Sequence, residues 1–411
     1  MRRRKGIGGG VCRARLRLIL VLTSNGSKTE NRFFINDFSL PVKRRIQYID
    51  AIKGISGIWV AFFHYVLAFF PVGYVGWGSG VEDSDRAARY FSEFPASAFT
   101  NSSFPLYTFF ALISFTLATA HFGGGNGEPV RRQAVKRYFR LMPPVFACTM
   151  ICYALVAGGL MFNARLGELA PSEWSSAFYG NGASFWQAMV SGLFAAFVYG
   201  DGYYCSILWC MNVIFIGSYL SYGILLLFGG VRGRWLFYAA IFALCAAAWG
   251  DCAAFVAGIA AADIAVSFPR LKSVRGLGVA LIFSGLAAGV FFPPVWLPRG
   301  VQAGALYSAA NFAFLLGFAL SVSAQRAVGF KWLCGAGKWS FALILVHFPV
   351  MMSFSAWAFV ALTERGWNFA PAVAASWAAS IPVLALAVWL FYKFVELPSE
   401  KFAQWAWEKL R

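Results

Sequence analysis

Tyr48-Ile-Asp-Ala-Ile-Lys53-Gly-Ile-Ser-Gly-Ile-Trp-Val-Ala-Phe-Phe-His64-Tyr-Val-Leu-Ala-Phe-Phe70 is an apolar run of membrane-spanning length that nevertheless carries a lysine and a histidine. Lys53 and His64 are eleven residues apart. At about 100° per residue they are separated by roughly 1,100°, about 20° past three full turns, so a helix puts both on one face. They then lie about 16 Å apart along the axis. Ionisable groups inside such a segment are costly and are usually functional. Between them on the same face fall Ser56, Gly57 and Val60. These small residues suit either a narrow channel from the inner surface to His64 or close helix–helix packing.

Apolar runs recur along the rest of the chain. Residues are 59% hydrophobic, 18% aromatic and only 13% charged, with a mean hydropathy of +0.63. Soluble domains hold about a quarter charged residues. The runs predict an all-α integral membrane bundle of about ten transmembrane helices, at about 52–72, 104–121, 142–162, 207–229, 235–249, 251–268, 276–296, 304–324, 339–362 and 370–392. Only Trp249-Gly-Asp separates the fifth from the sixth, so one long kinked element is the alternative there.

Charge supports ten. One set of loops carries Arg131, Arg132, Lys136, Arg137, Arg140, Arg232, Arg234, Arg270, Lys272, Arg275, Arg326, Lys331 and Lys338. The opposite set is richer in acids, among them Glu82, Asp83, Asp85, Glu173, Asp201 and Asp251. Basic loops stay inside, so both termini are expected to be cytoplasmic. The net charge of +18 then belongs to an inner face against anionic lipid, not to nucleic-acid binding. Residues 1–45 read as a basic, disordered or surface-lying cytoplasmic tail, 46–402 as the membrane domain, and 403–411 as a short cytoplasmic C-terminal tail.

Few groups remain for chemistry. The histidines are His64, His121 and His347. His121 falls at the inner end of the second span, beside a glycine loop. His64 and His347 lie roughly 19 Å and 14 Å in from the inner side, close enough in depth to share a cavity, or else to bond neighbouring helices. Lys136-Arg-Tyr-Phe-Arg-Leu-Met-Pro-Pro144 places Arg137 and Arg140 three apart, so a helix points them the same way. Arginine suits multidentate phosphate binding, and a positive-inside anchor is the plainer reading. Pro143 and Pro144 suggest a rigid or broken entry into the third span. The long outer loops hold Tyr74, Trp77, Phe91, Phe94, Trp174, Tyr179 and Trp186, able to stack on a sugar or to form an interfacial belt. The cysteines show no metal spacing, so no metal is expected. Cys148, Cys152, Cys210 and Cys245 read as apolar packing, and Cys205 and Cys252, both near the outer face, could pair.

Four blocks together resemble the integral-membrane acyltransferase 3 family, typified by bacterial O-acetyltransferases of surface glycans. Arg45-Ile-Gln-Tyr-Ile-Asp-Ala-Ile-Lys53 through His64 is similar to its basic-residue-x10-histidine signature, with Lys53 where arginine is commoner. Lys136-Arg-Tyr-Phe-Arg-Leu-Met-Pro resembles its Arg-x-x-Arg block. Gly337-Lys-Trp-Ser-Phe-Ala-Leu-Ile-Leu-Val-His347 resembles a late Gly-x-x-Ser-x-x-x-Tyr-Leu-x-His segment, with Ile344 in place of tyrosine. Val395-Glu396-Leu-Pro resembles its terminal Val-Glu-x-Pro. Two motifs depart. Ile214 stands where an acid is expected, with Asn212 a weaker substitute nearby, and Phe109-Phe-Ala-Leu-Ile-Ser114 lacks its glycine.

The resemblance implies transfer of an acyl group, most often acetyl, from cytoplasmic acyl-CoA to the hydroxyl of a glycan, a lipid-linked acceptor or a small molecule, in a bacterial inner membrane. Arg137, Arg140 and Lys53 would meet the donor phosphates. His64 would act as base or acyl carrier, and His347 would orient the acceptor or assist. The competing readings are a proton-coupled secondary transporter or flippase using His64, and a non-catalytic or inactive relative.

Overall fold

A computed structural model describes residues 47–70, 96–124, 127–170, 172–291 and 303–411. The basic tail 1–45 and the outer-loop residues Tyr74, Trp77, Phe91 and Phe94 lie outside these. Among the described residues, ten of the eleven apolar helices are α1 Gln47–Phe69, α2 Ser103–Phe122, α3 Glu128–Ala157, α4 Ser206–Phe228, α5 Arg234–Ala248, α6 Gly250–Ser267, α7 Leu277–Phe291, α8 Ala303–Leu320, α9 Lys331–Glu364 and α10 Phe369–Leu410, and the other, Phe185–Val198, lies on the connection between α3 and α4. Eight are long and apolar enough to cross a membrane; Phe185–Val198, α5 and α7 are shorter. A 15-residue helix such as α5 reaches about 22 Å, less than the roughly 30 Å of a hydrocarbon core. Trp249 does separate α5 from α6, its backbone leaving the helical region at φ −154° and ψ 81°. Exposed Leu236, Leu244, Phe283 and Ile381 suit a lipid surround rather than water.

Contacts fix the relative direction of the helices. Tyr48 at the start of α1 stacks on Phe318 at the end of α8. Tyr107 in the first turns of α2 bonds Asp251 at the start of α6, and Gly250 lies against Gly304 at the start of α8. Trp235 and Phe268 join the start of α5 to the end of α6; Gly278 and Ser321 join the start of α7 to the end of α8. Tyr222, late in α4, donates to Gln133 O, early in α3. So odd-numbered helices run one way and even-numbered helices the other.

α1 and α9 therefore lie parallel, and their seam is built on glycines. A Cβ on Gly337 would run into the backbone of Asp50, and one on Gly54 would come within 2.8 Å of Gly337 N and Leu333 O. A Cβ on Gly57 would sit 3.3 Å from Ser340 Cβ and 3.6 Å from Phe109 Cζ. Ser56 and Val60 are buried. This corrects the channel expectation: the small-residue face of α1 is filled by α9 and Phe109, because missing side chains let two backbones approach and gain dispersion contacts.

α3 starts earlier than expected and runs straight through Pro143 and Pro144. Each proline removes one backbone bond, but long apolar helices tolerate this better than water-exposed ones. α10 extends to Leu410, with a π turn at Tyr392–Glu396, so the last residues are helical. Its end lies along the basic stretch of α3. Arg132 and Lys136 both donate to Gln404 Oε1, at 2.6 and 3.2 Å, and Arg140 pairs with Glu400 at 2.8 Å.

A buried ion pair ties α5 to α6. Arg234 clasps Asp263 through Nε and through Nη2, the latter 2.8 Å from Oδ1. Asp263 is fully buried and also accepts from Ser267 at 2.6 Å and Tyr238 at 3.2 Å. Such a pair is tolerable in an apolar interior because its remaining lone pairs are bonded.

Candidate functional site

α1 carries His64 about 25 Å up its axis from Gln47, and α9 carries His347 about 24 Å from Lys331. Parallel packing brings them together: His347 Nε2 is 3.2 Å from His64 Nδ1 across 283 residues of sequence. Each Nδ1 also faces a carbonyl one turn back, His64 to Val60 O at 2.8 Å and His347 to Leu343 O at 2.9 Å. A carbonyl only accepts, so both Nδ1 atoms carry the proton in the neutral rings. His347 Nε2 is then a bare lone pair that accepts from His64 Nδ1–H, and His64 Nε2 is the remaining lone pair. His347 is fully buried, whereas His64 keeps part of its surface accessible. The His347 contact with His64 Nδ1 is suited to orienting that ring.

His64 lies near the end of α1, which finishes at Phe69, and His347 lies beside it. Ser172 and Ser175, on the short helical connection after α3, donate to Leu67 O and Ala68 O at the end of α1. That connection brings Trp174 against His64, ring centres 5.9 Å apart and planes inclined 30°. Trp174 in turn meets Phe178 and Phe348 edge-on, so it is a wall of the histidine site rather than part of a belt. Just beyond His347, α9 contains a π turn, Met351–Ser355. Phe162 N bonds Met352 O there at 2.8 Å, and Ser355 Oγ sits 2.9 Å from Tyr65 Oη and accepts from Ser380 at 2.6 Å. π turns free a carbonyl and are frequent beside functional residues.

The expected cations divide. Lys53 is on α1, near the end of the bundle where α3 begins, and shares that end with Arg137 and Arg140. The two arginines do not converge as the three-residue spacing suggested. Arg140 turns to Glu400 on α10. Arg137 turns the other way, and its Nε and Nη2 are buried without a hydrogen-bond partner. Tyr219 and Tyr222 of α4 flank this stretch, donating to Ala134 O and Gln133 O. The physical reason is that positions i and i+3 differ by about 60° around a helix. Here that angle spans the boundary between two neighbours.

Ile214 is half-buried in α4. Asn212 donates its amide NH2 to Phe197 O and Val198 O at 2.8 and 2.7 Å, at the end of the helix Phe185–Val198. Cys205 and Cys252 do not pair: all seven cysteines among the described residues are free. Instead Cys205 meets Cys148 and Cys152, with the three sulfurs within 4.8 Å of one another and all three residues buried. The four-residue spacing of Cys148 and Cys152 was visible in the sequence; the approach of Cys205 was not. Comparison of the chain with family models, with curated proteins and with solved structures finds no match.

Proposed function

We propose that this chain is a membrane O-acyltransferase, passing an acyl group, acetyl in the first instance, from cytoplasmic acyl-CoA to a hydroxyl of an envelope glycan or similar acceptor. In this reading it crosses a bacterial inner membrane ten times with both termini cytoplasmic. The observation that carries the reading is the His64–His347 contact. It joins the first and third motif blocks, 283 residues apart, into one site whose accessible member has a free nitrogen lone pair.

In this mechanism His64 Nε2 takes the proton of the acceptor hydroxyl as its oxygen attacks the thioester carbonyl. The tetrahedral intermediate expels the CoA thiolate, which recovers that proton from His64. Nδ1–H, held between Val60 O and His347 Nε2, stabilises the imidazolium formed in between. Trp174 shields the ring from water and offers an aromatic face toward the acceptor's side. At the opposite end, Arg137 supplies buried donors that lack a protein partner and are suited to a donor phosphate. Arg140 would have to exchange Glu400 for the ligand. Because the Gly54–Gly57 face is filled, the pantetheine arm must follow a different side of α1.

The test is transfer of labelled acetyl from acetyl-CoA to envelope glycan in cells, comparing the natural chain with His64→Ala. The substitution is expected to lower transfer by about 10²–10⁴-fold. Undiminished transfer in the variant would falsify the role given to His64. Absence of transfer by the natural chain, together with proton-driven uptake in proteoliposomes, would replace the enzyme reading with a transporter.

A further inference from the structure

Among the described residues outside the histidine site, the thiols of Cys148, Cys152 and Cys205 form a close cluster. The first two lie one turn apart on α3, and the third lies directly before α4. Their exposures are 1%, 0% and 0%. Cys205 has extended backbone and caps the first turn of α4, where the helix dipole favours a thiolate. Its position is tightly determined. Tyr179 donates to Tyr204 O at 2.8 Å, and Tyr204 both donates to Ser184 O and accepts from Ser184 N, at 2.8 and 2.9 Å. Cys148 is held from the other side by a bond to Leu345 O at 3.2 Å. The donors are therefore preorganised, which packing alone does not require.

We infer that these three sulfurs form a binding site for a soft monovalent d10 cation, Cu(I), next to the histidine site. Sulfur donors select soft ions, chiefly Cu(I) and zinc. Zinc takes four ligands in structural sites, and among the described residues no carboxylate or imidazole joins the three sulfurs. Three-coordinate sulfur suits Cu(I). Loading then forms three copper–sulfur bonds, releases the three thiol protons to solvent and leaves the metal oxidation state unchanged.

The test uses the detergent-solubilised full chain, reduced and stripped of metal, titrated anaerobically with Cu(I) acetonitrile complex against a chromophoric Cu(I) chelator. The expected result is one ion per chain with a first shell of three sulfurs by X-ray absorption. Cys148→Ser, Cys152→Ser and Cys205→Ser should each lose that binding, while Cys210→Ser and Cys245→Ser keep it. A measurement on the natural chain guards against misfolded variants: Cu(I) should protect Cys148, Cys152 and Cys205, but not Cys334, from alkylation during partial unfolding. It should also raise the unfolding temperature. The assignment is overturned if Cu(I) neither binds nor protects, if the Cys205 and Cys210 variants bind alike, if two of the thiols are isolated as a disulfide, or if only zinc with a fourth ligand is retained. None of these readouts depends on acyl transfer.

Discussion

Two helix seams in this molecule are built on opposite principles. Between α1 and α9 side chains are removed: Gly54, Gly57 and Gly337 let backbones touch, and the two histidines are carried at the top of the seam. Between α3 and the end of α10 side chains are added: Arg132, Lys136 and Arg140 reach Gln404 and Glu400. The first seam has almost no freedom and sets a 3.2 Å contact. The second rests on long side chains 44% and 43% exposed at its ion pair, where water and salt compete. Fixed geometry for an imidazole pair and loose geometry for a charged surface are what each set of residues is suited to provide.

The contrast is open to attack, and the largest effect belongs to the glycine seam. Gly337→Ala should cost about 3 kcal/mol, because its methyl group meets backbone rather than a movable side chain. Thermal unfolding in detergent reads this, and a loss below 1 kcal/mol would mean the helices separate easily. Next is His347→Ala, expected to lower acyl transfer about 10–100-fold by freeing the His64 ring. His347→Gln should recover part of the loss, since its carbonyl can accept from Nδ1–H; equal activity in all three proteins would remove the positioning role. Gly57→Ala should cost only about 1 kcal/mol, because Ser340 Cβ, 3.3 Å away, can yield slightly. Smallest is Arg140→Ala, below about 1 kcal/mol and smaller still in high salt. A larger, salt-independent loss would show that the polar seam is as rigid as the apolar one.

Hydropathy located the eight helices long and apolar enough to cross a membrane, because lipid imposes length and apolarity on each segment separately, and it left Phe185–Val198 in a loop. The fifth run, drawn at 235–249, matches α5 at Arg234–Ala248, because the turn at Trp249 is marked by its own glycine. The histidine pair was half legible. Two rare residues at similar depth suggested a shared cavity, but direct contact depends on parallel packing, which alternating directions set and glycine spacing only permits. Arg137 and Arg140 were misread together because spacing gives an angle and not the neighbour on either side of it. Trp174 and Cys205 were misplaced for one reason: both sit on connections, where no periodicity restrains the path of the chain.

Parallel pairing of α1 with α9 also has a consequence in time. The two halves of the histidine site are separated by 283 residues. At about 5–20 residues per second, roughly a quarter of a minute to a minute of translation passes between them. Throughout that interval α1 is in the membrane with a grooved, glycine-lined flank and a polar ring that its final neighbour has not yet covered. A chain released before α9 would keep that flank open, a ready signal by which quality control can distinguish an unfinished copy from a finished one.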